Sequence, residues 1–354
     1  MSRPLRATIH LSALRHNLDV ARRHATHSRV LAVVKANGYG HGMLRAARAF
    51  AAADGFAVLT VQDAITLREA GFTQAILLLE GFFAPDELPL LARHRIATVV
   101  HAQWQLDALL RFPSASGIAL WLKANSGMNR LGFQPEELPA ALAALRQSGA
   151  KLTLMTHFAR ADESDGITGQ LSRFNALSRG AELPRSMANS AALLCCPETH
   201  ADWVRPGIML YGASPLPQHS AAELGLQPAM TLSSEVIALR DIQAGDEVGY
   251  GGAFSAPCAM RIGVVACGYA DGYPRHAPNG TPVLVNGLRS RIVGRISMDM
   301  LTVDLSHIPE ARVGSPITLW GQGLPVEEVA AAAGTLSYEL LCAVAQRVPI
   351  LEQA

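Results

Sequence analysis

Leu31-Ala32-Val33-Val34-Lys35-Ala36-Asn37-Gly38-Tyr39-Gly40-His41-Gly42 is the stretch on which the reading of the chain turns. The residues from Arg29 to Val34 are apolar and β-branched, which predicts a buried strand. That strand delivers a lysine into a glycine-rich turn opening the next helix, so an amine stands at a strand's carboxyl end. Only three of the 30 lysines and arginines are lysines, Lys35, Lys123 and Lys151. Arginine is thus the default cation, and an amine at position 35 calls for a chemical reason. Arginine keeps its proton in a protein, whereas a desolvated lysine can release it and then form a Schiff base or act as a base. Position alone leaves open a plainer alternative, a strand-end lysine paired with a carboxylate.

At 354 residues the chain exceeds one ordinary domain and suits a barrel with a smaller partner domain. The formal net charge is +1 and only 17% of residues are charged. No basic field exists to hold nucleic acid or an anionic membrane, so the expected ligand is small. No apolar stretch approaches the roughly 20 residues needed to span a bilayer, and the N-terminus lacks the apolar core of a signal peptide. A cytoplasmic protein is expected. The five cysteines show no metal or disulfide spacing and are read as reduced, packed thiols.

Beyond the lysine strand, apolar runs recur at Phe56–Val61, Ala75–Glu80, Ala97–His101, Gly117–Lys123, Lys151–His157, Ser186–Ser190 and Ile208–Gly212. Segments with alanine and leucine at helical spacing separate them, among them Met43–Ala53, Gln62–Ala70, Pro135–Ser148 and Thr168–Ser178. Counting Arg29–Lys35, eight strands alternate with helices, as a (β/α)8 barrel requires. An open doubly wound sheet is the runner-up, but no strand is followed by G-x-G-x-x-G or a Walker loop. From about Met230 the texture becomes alternating and turn-rich, at Leu232–Leu239, Arg261–Cys267, Pro282–Asn286, Arg291–Ile296, Leu301–Leu305 and Ser315–Trp320. An all-β domain with one helix near Pro325–Ala333 is expected there. In a barrel the strands' carboxyl ends converge on one mouth. Lys35, Lys123, His157 and Ser190 end the first, fifth, sixth and seventh strands, and Arg205 just precedes the eighth.

The lysine run resembles, nearly letter for letter, the pyridoxal-phosphate lysine segment of the alanine racemases. Further segments resemble that family in chain order: Lys123-Ala124-Asn125-Ser126-Gly127-Met128-Asn129-Arg130-Leu131-Gly132-Phe133, Thr156-His157-Phe158-Ala159, Asn189-Ser190-Ala191-Ala192 and Val204-Arg205-Pro206-Gly207-Ile208-Met209-Leu210-Tyr211-Gly212. So do Asp246-Glu247-Val248-Gly249-Tyr250-Gly251-Gly252, Gly268-Tyr269-Ala270-Asp271-Gly272, Arg295-Ile296-Ser297-Met298-Asp299 and Ser337-Tyr338-Glu339. The resemblance implies an α/β chain with a cofactor-binding (β/α)8 barrel over residues 1–225 and a predominantly β domain over 226–354 that supplies a catalytic tyrosine.

It also implies roles. Lys35 would carry pyridoxal 5'-phosphate covalently, with Tyr39, Arg130, His157, Ser190, Arg205, Gly207, Ile208 and Tyr338 binding the cofactor. Arg130 and Met298 would hold the substrate, and Tyr269 and Asp299 would wall the site; no metal is implied. Lys123 matches a lysine that is often carbamylated, but Asn125 replaces the family's usual aspartate, which leaves the local charge open. An arginine at 205, facing the pyridine nitrogen, disfavours protonation there and weakens the ring as an electron sink, which suits racemisation over transamination. Lys35 and Tyr250 would be the two bases, one on each face of Cα. The implied activity interconverts L- and D-alanine, for peptidoglycan precursor supply or for catabolism, in a head-to-tail homodimer with shared active sites. A racemase of another small amino acid such as serine, a related amino-acid decarboxylase and a non-catalytic pyridoxal-phosphate-binding protein are the alternatives.

Overall fold

The computed structural model describes residues 3–163 and 165–354. Its first strand, β1 (Arg6–His10), precedes eight parallel strands that close into a barrel: β2 (Arg29–Val33), β3 (Gly55–Val58), β4 (Ala75–Leu78), β5 (Ala97–Val100), β6 (Leu120–Lys123), β7 (Leu152–Met155), β8 (Arg185–Ser186) and β9 (Trp203–Val204). Closure is made where β9 pairs β2, with Arg29 opposite Trp203 and Val30 opposite Val204. The Arg29 guanidinium lies 4.1 Å over the Trp203 ring at this seam. Most of these strands are buried along their whole length, Gly55–Val58 and Ala97–Val100 among them. Strands covered on both faces have no need of polar alternation, which is why they read as continuous apolar runs.

The eighth strand corrects the sequence reading. Ile208–Tyr211 is a buried 3-10 turn, and the strand that closes the barrel is the dipeptide Trp203–Val204. Arg205 therefore follows the eighth strand, which sets it at the mouth together with the other strand-end residues.

The second sheet is built from β10 (Met230–Ile242), β13 (Met260–Val265), β14 (Pro282–Val285), β15 (Leu288–Arg291), β16 (Leu301–Asp304), β17 (Pro316–Trp320) and β18 (Ile350–Gln353), and a small hairpin joins β11 (Glu247–Val248) to β12 (Phe254–Ser255). The long strand β10 shifts register between Val236 and Ala238, and its two halves serve different neighbours. Its first half pairs β1 and β17; its second half pairs β13. The expected strand Arg291–Ile296 is displaced to Leu288–Arg291, because Val285 and Leu288 pair across a tight hairpin whose turn holds Asn286 and Gly287 at positive φ. The expected helix near Pro325–Ala333 is present as Val326–Ala332.

The N-terminal strand also belongs to this sheet. It lies between β10 and β18, antiparallel to the first and parallel to the second. A helix over Ser337–Ala343 returns from the second domain to the barrel, where the Leu341 carbonyl would stand 2.1 Å from a Cβ on Gly40. All five cysteines are free; Cys196 and Cys267 are buried as expected, whereas Cys195, Cys258 and Cys342 are exposed.

Candidate active site

Lys35 leaves β2 into a left-handed turn. Ala36, Asn37, Gly38, Tyr39 and Gly40 all have positive φ, between 50° and 80°. Glycine adopts this conformation freely and asparagine tolerates it, while alanine and tyrosine are strained in it. The turn is therefore held from outside itself. Gly42 N–H donates to the Asn37 carbonyl at 2.8 Å, Met43 N–H to Asn37 Oδ1 at 3.0 Å, and the buried His41 places Nδ1 2.8 Å from the Tyr39 carbonyl. The turn, with Ala36 and Tyr39 held in strained conformations, fixes where the lysine side chain starts. Burial pulls the Lys35 ammonium below its ordinary range, with Glu80 opposing and Arg130 reinforcing that pull.

Across the mouth, Lys123 at the end of β6 is buried, and its pKa falls to about 8, through desolvation first and then the charges of Arg205 and Arg130. Arg205 is buried and has no carboxylate partner among the described residues. It donates to Ser186 Oγ at 2.5 Å, to the Thr156 and Met187 carbonyls at 2.7 and 3.3 Å, and to His157 Nδ1 at 3.3 Å. Burial lowers its pKa to about 10, which leaves it charged near neutrality. That donation assigns the His157 proton to Nε2. Burial, then Arg205 and Lys123, keep the His157 ring neutral, its pKa well below the usual histidine value.

The asparagine at 125 contributes no charge. Its Oδ1 accepts from the Gly127 and Asn129 amides at 3.1 Å each, and its Nδ2 donates to Asn129 Oδ1 at 2.9 Å and Gln134 Oε1 at 3.3 Å. An aspartate there would face two carbonyl oxygens. Lys35, Lys123, Arg130 and Arg205 thus gather round His157, with Glu80 the acid that acts on both lysines.

Beside this cluster, Asn189 caps the helix Ser190–Cys195 by accepting from Ala192 N–H. Ser190 Oγ accepts from Gly207 N–H at 2.8 Å. The Tyr39 hydroxyl lies where a Cβ on residue 207 would meet it at 2.5 Å, so only glycine lets the hydroxyl approach this backbone. Tyr39 stacks on Tyr211 at 4.6 Å, and the Tyr338 ring is 6.1 Å away. Two hydroxyls and the amides that open the Ile208 turn converge in one place, a donor set that suits a phosphate.

Tyr250, Tyr269, Met298 and Asp299 stand apart. All four are exposed, on turns of the second domain. Among the described residues no hydrogen bond or ring contact ties Tyr250 to the Lys35 cluster; its turn packs instead against Gly294 and Arg295. Tyr269 and Met298 do share a wall, since Tyr269 N–H donates to the Ser297 carbonyl and Ala270 N–H to the Met298 carbonyl, both at 3.0 Å. Sequence reasoning passed over Glu80, His41 and the charged residues behind that wall. Glu80 had a signal, an acid ending an otherwise apolar run.

Comparison with known proteins follows the same division. The profile of the alanine racemase N-terminal domain matches residues 9–215, and that of the alanine racemase C-terminal domain matches residues 229–351. The chain is 60% identical to an alanine racemase of Nitrosospira multiformis, over 98% of this chain and 99% of that one. It is 51% identical to a catabolic alanine racemase of Klebsiella aerogenes, over 99% of each. Its fold superimposes on the crystal structure of a biosynthetic alanine racemase from Pseudomonas aeruginosa with a TM-score of 0.96 at 50% identity, covering 99% of this chain and 100% of the other. The alanine racemase of Acinetobacter baumannii gives the same TM-score and coverage at 39% identity.

Proposed function

From the premise that the chain belongs to the alanine racemase family along its whole length, we propose that it interconverts L- and D-alanine with pyridoxal 5'-phosphate bound at Lys35. The observation that carries this reading is the cationic mouth, where Lys35, its charged form disfavoured by burial, and Lys123 lie with a buried arginine that has no carboxylate partner among the described residues. The residues fit the group. Ser190 Oγ, Tyr39 Oη and the amides of Gly207 and Ile208 suit its phosphate, Arg205 suits an unprotonated ring nitrogen, and His157 supports the ring. Tyr338 reaches the phosphate side through Tyr39. When bound, the cofactor supplies an electron sink that acidifies the Cα proton of the amino acid joined to it.

The chain's own residues then handle that proton. Lys35 Nζ serves the D face and Tyr250 Oη the L face, because inversion needs a base on each side of Cα. Desolvation prepares Lys35 by disfavouring its charged form. Arg130 and the Met298 backbone hold the substrate carboxylate, with Tyr269 and Asp299 walling the pocket. Lys123, whose amine is partly neutral near pH 8, can take up carbon dioxide as a carbamate; that turns a cation into an anion able to orient Arg130.

Lys35 and Tyr250 lie on different domains, and exposed Tyr250, Tyr269, Met298 and Met300 crowd the second one. A head-to-tail homodimer brings each second domain over the partner's barrel. The division falls at residues 225 and 226, with the strand Arg6–His10 joining the second unit through its pairing. No helix of the described residues is long and apolar enough to cross a membrane, which is compatible with a cytoplasmic place.

Chiral chromatography of L-alanine incubated with the purified holoenzyme tests the activity, with L-serine run in parallel to test strictness. Borohydride reduction and peptide mapping should find the pyridoxyl group on the peptide containing Lys35. No D-alanine, or a label on Lys123 or Lys151, would overturn the reading.

A further inference from the structure

The wall formed by Tyr269 and Met298 rests on a buried carboxylate. The Asp271 side chain is fully buried, yet both its ion-pair partners are arginines from far along the chain. Its Oδ1 accepts from Arg3 Nη1 at 2.6 Å and from Arg347 Nε at 2.8 Å; its Oδ2 accepts from Arg3 Nη2 at 2.8 Å and from the Gly268 amide at 2.9 Å. The same two arginines reach onward to the neighbouring turn. Arg347 Nη2 donates to Asp299 Oδ1 at 2.6 Å, and Arg3 Nη2 donates to the Asp299 carbonyl at 2.9 Å. The turns themselves touch so closely that a Cβ on Gly268 would meet the Met298 carbonyl group at 2.4 Å. The Asp271 carbonyl also accepts from Ala345 N–H at 3.0 Å, just past the helix that carries Tyr338.

We propose that Asp271 is a positioning residue for the reaction: gripped by Arg3 and Arg347, it locks the Gly268–Gly272 and Ser297–Asp299 turns into one rigid wall and so fixes the height of Tyr269 and Met298 above the substrate. The placement is economical in chemistry. Bidentate arginine pairing has directional geometry as well as strength, so the Arg3 fork on the Asp271 carboxylate, with the Arg347 fork bridging Asp271 to Asp299, defines the orientation of both turns. A wall held this way sets how much room remains for the substrate side chain. This inference rests on the proposed reading that Tyr269 and Met298 face the substrate.

Asp271→Asn is the test, made in the holoenzyme. Asparagine keeps the acceptor for Gly268 N–H but turns an amide toward one arginine pair, so the wall loosens. The arginine side chains are 37% and 43% exposed and can move out into water, which spares the fold. Because the wall borders the substrate without touching the transferred proton, loosening it weakens ground-state and transition-state binding alike, so KM for L-alanine should rise roughly tenfold while kcat changes less, and the preference for alanine over serine should shrink. Arg347→Met, which leaves Arg3 in place, should show the same pattern at smaller size. Sedimentation of each variant checks assembly, and the absorbance of the lysine-bound cofactor checks loading of the barrel. Altered KM and altered alanine-to-serine ratio in an assembled, fully loaded Asp271→Asn protein establish the role. Wild-type KM and ratio refute it, as does a loss of assembly that alone accounts for the change. If the wild-type enzyme forms no D-alanine, the reading of the activity fails instead.

Discussion

Replacing Lys123 with methionine should make the cofactor-free protein more stable at pH 7 and the holoenzyme less active. Lys123 is buried at the barrel mouth, its pKa falls from 10.5 to about 8, and the causes are desolvation first, then Arg205 and Arg130. At about 1.4 kcal/mol per pH unit, that drop means that keeping the lysine charged in the folded protein costs about 3 kcal/mol. The sign follows from the depressed value. Below about pH 8 the lysine is charged in both folded and unfolded states, and the whole cost is present. Between about 8 and 10.5 the folded lysine is neutral while the unfolded one still holds its proton, so the wild type gains stability as pH rises. Urea unfolding in buffers free of carbon dioxide should therefore favour Lys123→Met at pH 7 by up to about 3 kcal/mol, and the gap should close by about pH 10.5. With only three lysines in the chain, carbon-labelled lysine gives three NMR signals, and the one lost in the variant should titrate near pH 8. A Lys123 signal titrating near 10.5, or a stability gap unchanged across this range, would refute the electrostatic account. Stability gained at the expense of activity is the usual mark of a functional charge.

Two further outcomes test the rest of the site. Arg205→Glu should slow racemisation and raise the proportion of keto-acid by-product measured by coupled assay; it should also lower stability, since the Thr156 and Met187 carbonyls lose their donor at about 1–3 kcal/mol each. Unchanged rates would place Arg205 away from the ring. Mixing inactive Lys35→Ala and Tyr250→Ala chains and allowing exchange should restore activity, up to roughly half per heterodimer, because one of two symmetric sites then carries neither lesion. Verified heterodimers without activity would mean that Tyr250 serves its own chain.

What could be read from sequence was what lies close together along it. Lys35 announced itself because a strand, a scarce amine and a glycine-rich turn are neighbours, and Ser190 and Arg205 fell in short segments with their own turns. The eighth barrel strand was misplaced because Ile208-Met209-Leu210-Tyr211 is as apolar as a strand. Burial of a 3-10 turn under a barrel and burial of a strand leave the same composition, and periodicity cannot separate four residues. The real strand has two residues, too few for any pattern. Asn125 looked like a lost charge until its four hydrogen bonds showed a neutral set with Asn129 and Gln134. The Asp271 cluster was invisible because its arginines lie 268 and 76 residues away in sequence, and no local signal spans such distances.

The position of β1 between β10 and β18 has a consequence for how the chain is made. Its partners are the 230s and the last residues before the C-terminus, Arg6 facing Ser233 and Ala7 facing Ile350. The barrel strands, by contrast, pair with near neighbours and can assemble as they emerge. During synthesis, at about 5–20 residues per second, the first strand thus stays without its second partner for on the order of 20–70 s, an open edge with Ala7 and Ile9 uncovered. Unpaired apolar edges of this kind recruit other chains. Of the strands in this sheet, β1 is therefore translated first and fully sheltered last, and the nascent enzyme is exposed to misassembly along this edge until β18 has emerged.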